Sequence, residues 1–64
     1  MIKVILIVVN KANFFLSHRL NFALALKKKG FQIHVLSDGK NLDIKKIKNH
    51  GFYFHQLNFS RTFN

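Results

Sequence analysis

Apolar and polar positions follow different periods in successive blocks of the chain. Val4-Ile5-Leu6-Ile7-Val8-Val9 is an unbroken apolar run rich in β-branched residues. It predicts a strand buried on both faces, as in a parallel sheet covered from both sides. The run is far short of the ~20 apolar residues of a membrane-spanning helix. Asn10-Lys11 ends it with no small-x-small cleavage site behind, so a targeting segment is not expected. A polar loop, Asn10-Lys11-Ala12-Asn13, comes next. From Phe14 to Lys29 the period becomes helical. Leu16, Leu20, Ala23 and Leu24 form one stripe, Phe15, Phe22 and Leu26 widen it, and Ser17, Asn21, Ala25 and Lys28 face away. Asn13 and Ser17 are both candidate N-caps. Lys27-Lys28-Lys29 complements the negative end of the helix, and Gly30 suits the left-handed position after it.

Phe31 to Ser37 reads as a second strand with Phe31, Ile33 and Val35 on one face. Ser37-Asp38-Gly39-Lys40 has turn chemistry. Then comes a shorter helix over Asn41–His50, with Asn41 as cap, Asp43 in the first turn, Ile44 and Ile47 inward, and Gly51 as its stop. Phe52 to Leu57 is a third strand. The order β-α-β-α-β predicts an α/β fold with three parallel strands, a partial Rossmann-like unit and half of a doubly wound domain. Two helices cannot cover both faces of such a sheet. Strand one is therefore expected as an apolar edge, and Ser60-Arg61-Thr62-Phe63-Asn64 as the beginning of an element the chain does not continue.

Composition narrows this further. The 64 residues make a single small domain, 48% apolar, too hydrophobic for a disordered chain. A chain of about 60 residues buries only ~60% of its unfolded surface. The absence of cysteine removes disulfides as a means of compensating. The net charge is +9, from 11 Lys and Arg against two Asp. Much of it falls away from the strand ends: Lys27–Lys29 at the opposite edge, and Lys45, Lys46 and Lys48 on the outer side of the second helix. That distribution describes a solvated face, with an anionic membrane surface as the leading partner. No zinc-finger, helix-turn-helix or ribonucleoprotein motif is present, so no nucleic-acid partner is expected.

Ligands of open α/β sheets bind beyond the carboxyl ends of the strands. That edge receives Asn10 and Lys11, then Ser37 to Lys40, then Asn58, Ser60 and Arg61, with Asn13, His18 and Arg19 from the start of the first helix. The loop after strand one has no glycine, which excludes a dinucleotide fingerprint and a phosphate-binding P-loop. Asp38 and Asp43 lie in different elements and form no evident acid–base pair. His18, His34, His50 and His55 lack metal-ligand spacing, so neither metal nor cofactor is expected. Arg19 falls within the apolar stripe near Phe15 and Phe22, either snorkelling or serving as an anion ligand. His18 falls on the polar side.

Val8-Val9-Asn10, Phe14-Phe15-Leu16-Ser17-His18-Arg19-Leu20 and Ala23-Leu24-Ala25-Leu26 resemble the N-terminus of bacterial family 4 glycosyltransferases. The similarity continues through Lys29-Gly30-Phe31-Gln32-Ile33-His34-Val35, Gly51-Phe52-Tyr53-Phe54-His55-Gln56-Leu57 and Phe59-Ser60-Arg61. It spans nearly the whole chain in order and spacing. The chain departs at Asn21, where relatives often carry proline, and at Thr62-Phe63-Asn64, where they usually continue Gly-Leu-Asn-Pro. The resemblance implies that residues 1–64 are half of the N-terminal, acceptor-side domain of a GT-B fold. It also implies retaining sugar transfer from a nucleotide-sugar to a lipid-linked glycan acceptor, at the cytoplasmic face of the cell membrane. The family's donor-binding domain and its Glu-x7-Glu motif are missing, so the chain alone is expected to be inactive. Asn10, His18, Arg19, Ser60 and Arg61 match the family's cleft-edge positions and become candidate acceptor or phosphate ligands. The alternative is a stand-alone basic module on anionic membrane or nucleic acid.

Overall fold

The computed structural model describes residues 2–57. Three strands, β1 (Lys3–Lys11), β2 (Phe31–Asp38) and β3 (Tyr53–Gln56), form one parallel sheet in the order β1-β2-β3. The first crossover is helical throughout: α1 (Ala12–Phe14), a π-helical turn (Phe15–Arg19) and α2 (Leu20–Lys28). The second is α3 (Asn41–Asn49). The α/β class and the parallel three-stranded unit are as the periodicity predicts. Among the described residues β1 is an edge strand, as expected.

Register determines which residues share a face. Ile5 pairs with Ile33 and Ile7 with Val35, which in turn pairs with Phe54. These residues lie under the helices and pack with the buried core of Val9, Ala12, Phe15, Ala23, Ile33, Val35, Ile47 and Phe52. The alternate residues Val4, Leu6 and Val8 pair with Gln32, His34 and Leu36. They stand on the other face, which no element among the described residues covers, and remain 55–56% exposed. The expectation of a strand buried on both sides is thus met on one side only. Burial on the second side needs a second layer, and both crossovers pack on the first.

The polar loop expected after strand one does not form. Lys11 pairs with Asp38, which carries the ladder three residues past Val8 with one irregularity, and the helix begins at once with Ala12. Lys11 is the extended N-cap residue, so neither Asn13 nor Ser17 caps this helix. Asn41 likewise is the first residue of α3 rather than its cap, which is Lys40. Both C-termini agree with the prediction: Gly30 (φ 102°) and Gly51 (φ 88°) occupy the left-handed region that ends each helix.

The π turn corrects the predicted stripe. A residue added to one turn rotates the remainder of the helix by roughly 100°. In an unbroken α-helix Phe15 and Ala23 would diverge by about 80°. With the insertion they share one face, and both are fully buried. Phe22, placed inward by the regular period, is 59% exposed. Arg19 leaves the stripe for the same reason and is exposed. Phe15 meets Phe52 edge to face at 5.7 Å between ring centroids, tying the first crossover to the entry of β3.

Candidate functional site

The carboxyl ends of β1 and β2 open into a cleft of about 380 Å³ lined by Lys11, Ala12, Asn13, Asp38, Gly39, Lys40 and Asp43. It forms because β1 passes directly into α1 while β2 turns into α3 within two residues, Gly39 and Lys40. Gly39 allows the two turns to touch, since a Cβ there would collide with the Cβ of Ala12. That close approach brings the start of the first crossover against the start of the second.

Asp38 is the organising group. Its Oδ1 accepts the Gly39 N–H at 2.8 Å and the Gln56 side-chain amide at 2.8 Å. Its Oδ2 lies 3.7 Å from the Lys11 ammonium. The Lys11 side chain is largely exposed, so this pair contributes about 0–1 kcal/mol. Its lysine therefore remains available to an incoming anion at little cost. Beneath it, buried Ser37 donates to the Asp38 carbonyl at 3.0 Å. Neither Lys11 nor Lys40 caps its helix through a side chain. The cleft thus offers two ammonium groups, two carboxylates and the Asn13 amide at one mouth. Such a set suits a ligand bearing both negative charge and hydroxyls.

The candidate residues read from the sequence divide. Asn10 is exposed at the end of β1 beside Lys11, without lining the cleft. His18 and Arg19 are brought together elsewhere, around the exposed ring of Phe14. The His18 ring lies tilted by 37° with its centroid 4.5 Å from that of Phe14, and the guanidinium of Arg19 sits 5.7 Å from the ring centroid. Ser60 and Arg61, with Asn58, lie outside the described residues. Asp38 and Asp43, which the sequence places in separate elements without pairing them, both line the cleft. Strand-end assignment names Lys11, Asn13, Asp38, Gly39 and Lys40. Only the crossover geometry adds Asp43.

The histidines also regroup. Gln32 Oε1 accepts from His34 Nε2 at 2.8 Å, and His34 Nδ1 lies 2.8 Å from His55 Nε2, where the tautomer decides which ring donates. Tyr53 stacks on His34 at 4.6 Å. This cluster occupies the open sheet face, not the cleft. Among the described residues, no group of three or more histidine or acidic side chains could hold a metal ion, and no helix is long and apolar enough to cross a membrane. No known protein family, curated protein or solved structure matches this chain.

Proposed function

We propose that the chain is the N-terminal, acceptor-side part of a glycosyltransferase of the GT-B type. In this reading the cleft at the ends of β1 and β2 receives the phosphate-bearing end of a lipid-linked glycan acceptor. The observation that carries it is the cleft itself. It lies at the strand edge where open α/β sheets bind ligands, and it combines Lys11 and Lys40 with Asp38, Asp43 and Asn13. The lysines suit phosphate oxygens, and the carboxylates and amide suit sugar hydroxyls. The ordered sequence resemblance and the β1-β2-β3 parallel order support the same reading. Asn10, His18, Arg19, Ser60 and Arg61 are the further residues that the resemblance assigns to this side.

In this reading a second domain holds the donor nucleotide-sugar, and residues 1–64 supply the acceptor side. The work is done at the cytoplasmic face of the membrane. Exposed Lys27, Lys28, Lys29, Lys45, Lys46 and Lys48 lie off the cleft and favour anionic headgroups, at ~1 kcal/mol per basic residue near the surface.

The test is an amide-resolved NMR titration with a short-chain polyprenyl pyrophosphate carrying one sugar. Resonances of Lys11, Asn13, Gly39 and Lys40 are expected to move together and saturate. No saturable shift at those four positions refutes the acceptor reading. Sugar transfer by the chain alone would refute the division of labour. Liposome flotation with and without anionic lipid, at low and high salt, tests the membrane contact.

A further inference from the structure

We propose that Gln56, within the acceptor reading on which this depends, is the positioning residue that makes the cleft select a phosphate ligand carrying a sugar. Gln56 is exposed and stands outside the cleft lining. It acts through Asp38, which lines the cleft.

The sheet ladder brings it there. His55 pairs with Leu36 and Gln56 with Ser37, and the Leu57 N–H donates to the Ser37 carbonyl at 2.9 Å. The backbone is thus held on both sides of Gln56, beside the end of β2. From that position the side-chain amide reaches Asp38 Oδ1 at 2.8 Å. A carboxylate only accepts, so the amide nitrogen is the end that faces it. The Gly39 N–H donates to the same oxygen at 2.8 Å. The last torsion of an aspartate is broad, and one contact leaves it free to swing. Two donors from different elements, the turn and β3, fix it.

Oδ2 is the oxygen left over. Among the described residues it accepts no hydrogen bond, and the Lys11 ammonium stands 3.7 Å away, an ion-pair distance beyond hydrogen-bond reach. The result is an aimed acceptor next to a cation. An ionised phosphate oxygen on Lys11 is repelled by that carboxylate, whereas a hydroxyl donates to it. A ligand with a sugar hydroxyl beside its phosphate satisfies both groups, and a bare phosphate satisfies only the lysine.

The 64-residue chain is titrated with a short-chain polyprenyl pyrophosphate, once carrying one sugar and once without it, following the amides of Lys11, Asn13, Gly39 and Lys40. Wild type should bind the sugar-bearing ligand about tenfold more tightly. Gln56→Met keeps the length of the stem and removes the donor. It should weaken the sugar-bearing ligand about fivefold and leave the other unchanged, a difference that a merely structural tie would not produce. Gln56→Asn, one methylene short of Asp38, should do the same, and it reports if Gln56→Met fails to fold. In an Asp38→Ala background Gln56→Met should change neither affinity, because its effect passes through the carboxylate. Equal wild-type affinities for the two ligands overturn the proposal and leave the acceptor reading standing. So does an unchanged preference in folded Gln56→Met, an equal loss for both ligands, or a further loss in the Asp38→Ala background. If neither ligand saturates those amides in wild type, the acceptor reading falls and the role of Gln56 with it.

Discussion

Phe15→Ala tests the helical register on which the core depends. Phe15 has no exposed surface and stacks edge to face on Phe52. Truncating a buried phenylalanine costs about 3–5 kcal/mol through lost transfer energy and the cavity left behind. A domain of this length has a total stability of roughly 3–10 kcal/mol, at ~0.05–0.15 kcal/mol per residue. The variant is therefore expected to lose from about a third to all of its stability. Phe15→Leu keeps most of the volume and should lose only ~1 kcal/mol, which leaves a measurable urea transition. Phe22→Ala is the counterpart. An unbroken α-helix would turn Phe22 toward the sheet, whereas the π turn leaves it 59% exposed, so its loss should stay within about 0.5 kcal/mol. Urea unfolding monitored by circular dichroism gives all three values. A double-mutant cycle of Phe15→Leu with Phe52→Leu should show ~0.5–1.5 kcal/mol of coupling from the ring pair. If Phe22→Ala costs more than Phe15→Leu, the π turn is misplaced and the reasoning fails.

Three further substitutions probe the other junctions. Gly39→Ala drives a methyl into the Ala12 Cβ and should cost about 1–3 kcal/mol; adding Ala12→Gly should recover part of that loss in the same denaturation assay, and no recovery would mean the two turns do not touch. Gly30→Ala meets no neighbouring atom but forces a side chain onto φ 102°, so a loss of roughly 1–2 kcal/mol from backbone strain alone is expected, visible as a lower melting temperature. His55→Ala removes the ring nitrogen that pairs with His34 Nδ1 and should destabilise by ~0.5–1.5 kcal/mol, while an unchanged His34 ring resonance would show that the pair is not formed.

Part of the cleft is legible in the order of residues alone. The rule that ligands sit beyond strand ends selects Lys11, Asn13, Asp38, Gly39 and Lys40, because strand ends are local features. The same rule selects His18 and Arg19, which lie away from the cleft around Phe14. Their placement depends on counting 3.6 residues per turn through a segment where the backbone does not keep that count. A single inserted residue leaves no compositional trace, yet it rotates everything beyond it.

What the sequence determined by itself is what depends on neighbours along the chain. A β-branched run, a helical stripe and the glycines at positions 30 and 51 each specify their element from local sterics and period. Their alternation specifies a parallel sheet. The tertiary structure decided what depends on meeting across the chain. The packing of Phe15 on Phe52 accompanies a π turn that exposes Phe22. The contact of Gly39 with Ala12 brings Asp38 and Asp43 to one cleft. Parallel register joins His34, His55 and Tyr53 on the face of the sheet opposite the helices. Those outcomes arise from side-chain volume and strand register between segments far apart in sequence, which no local pattern encodes.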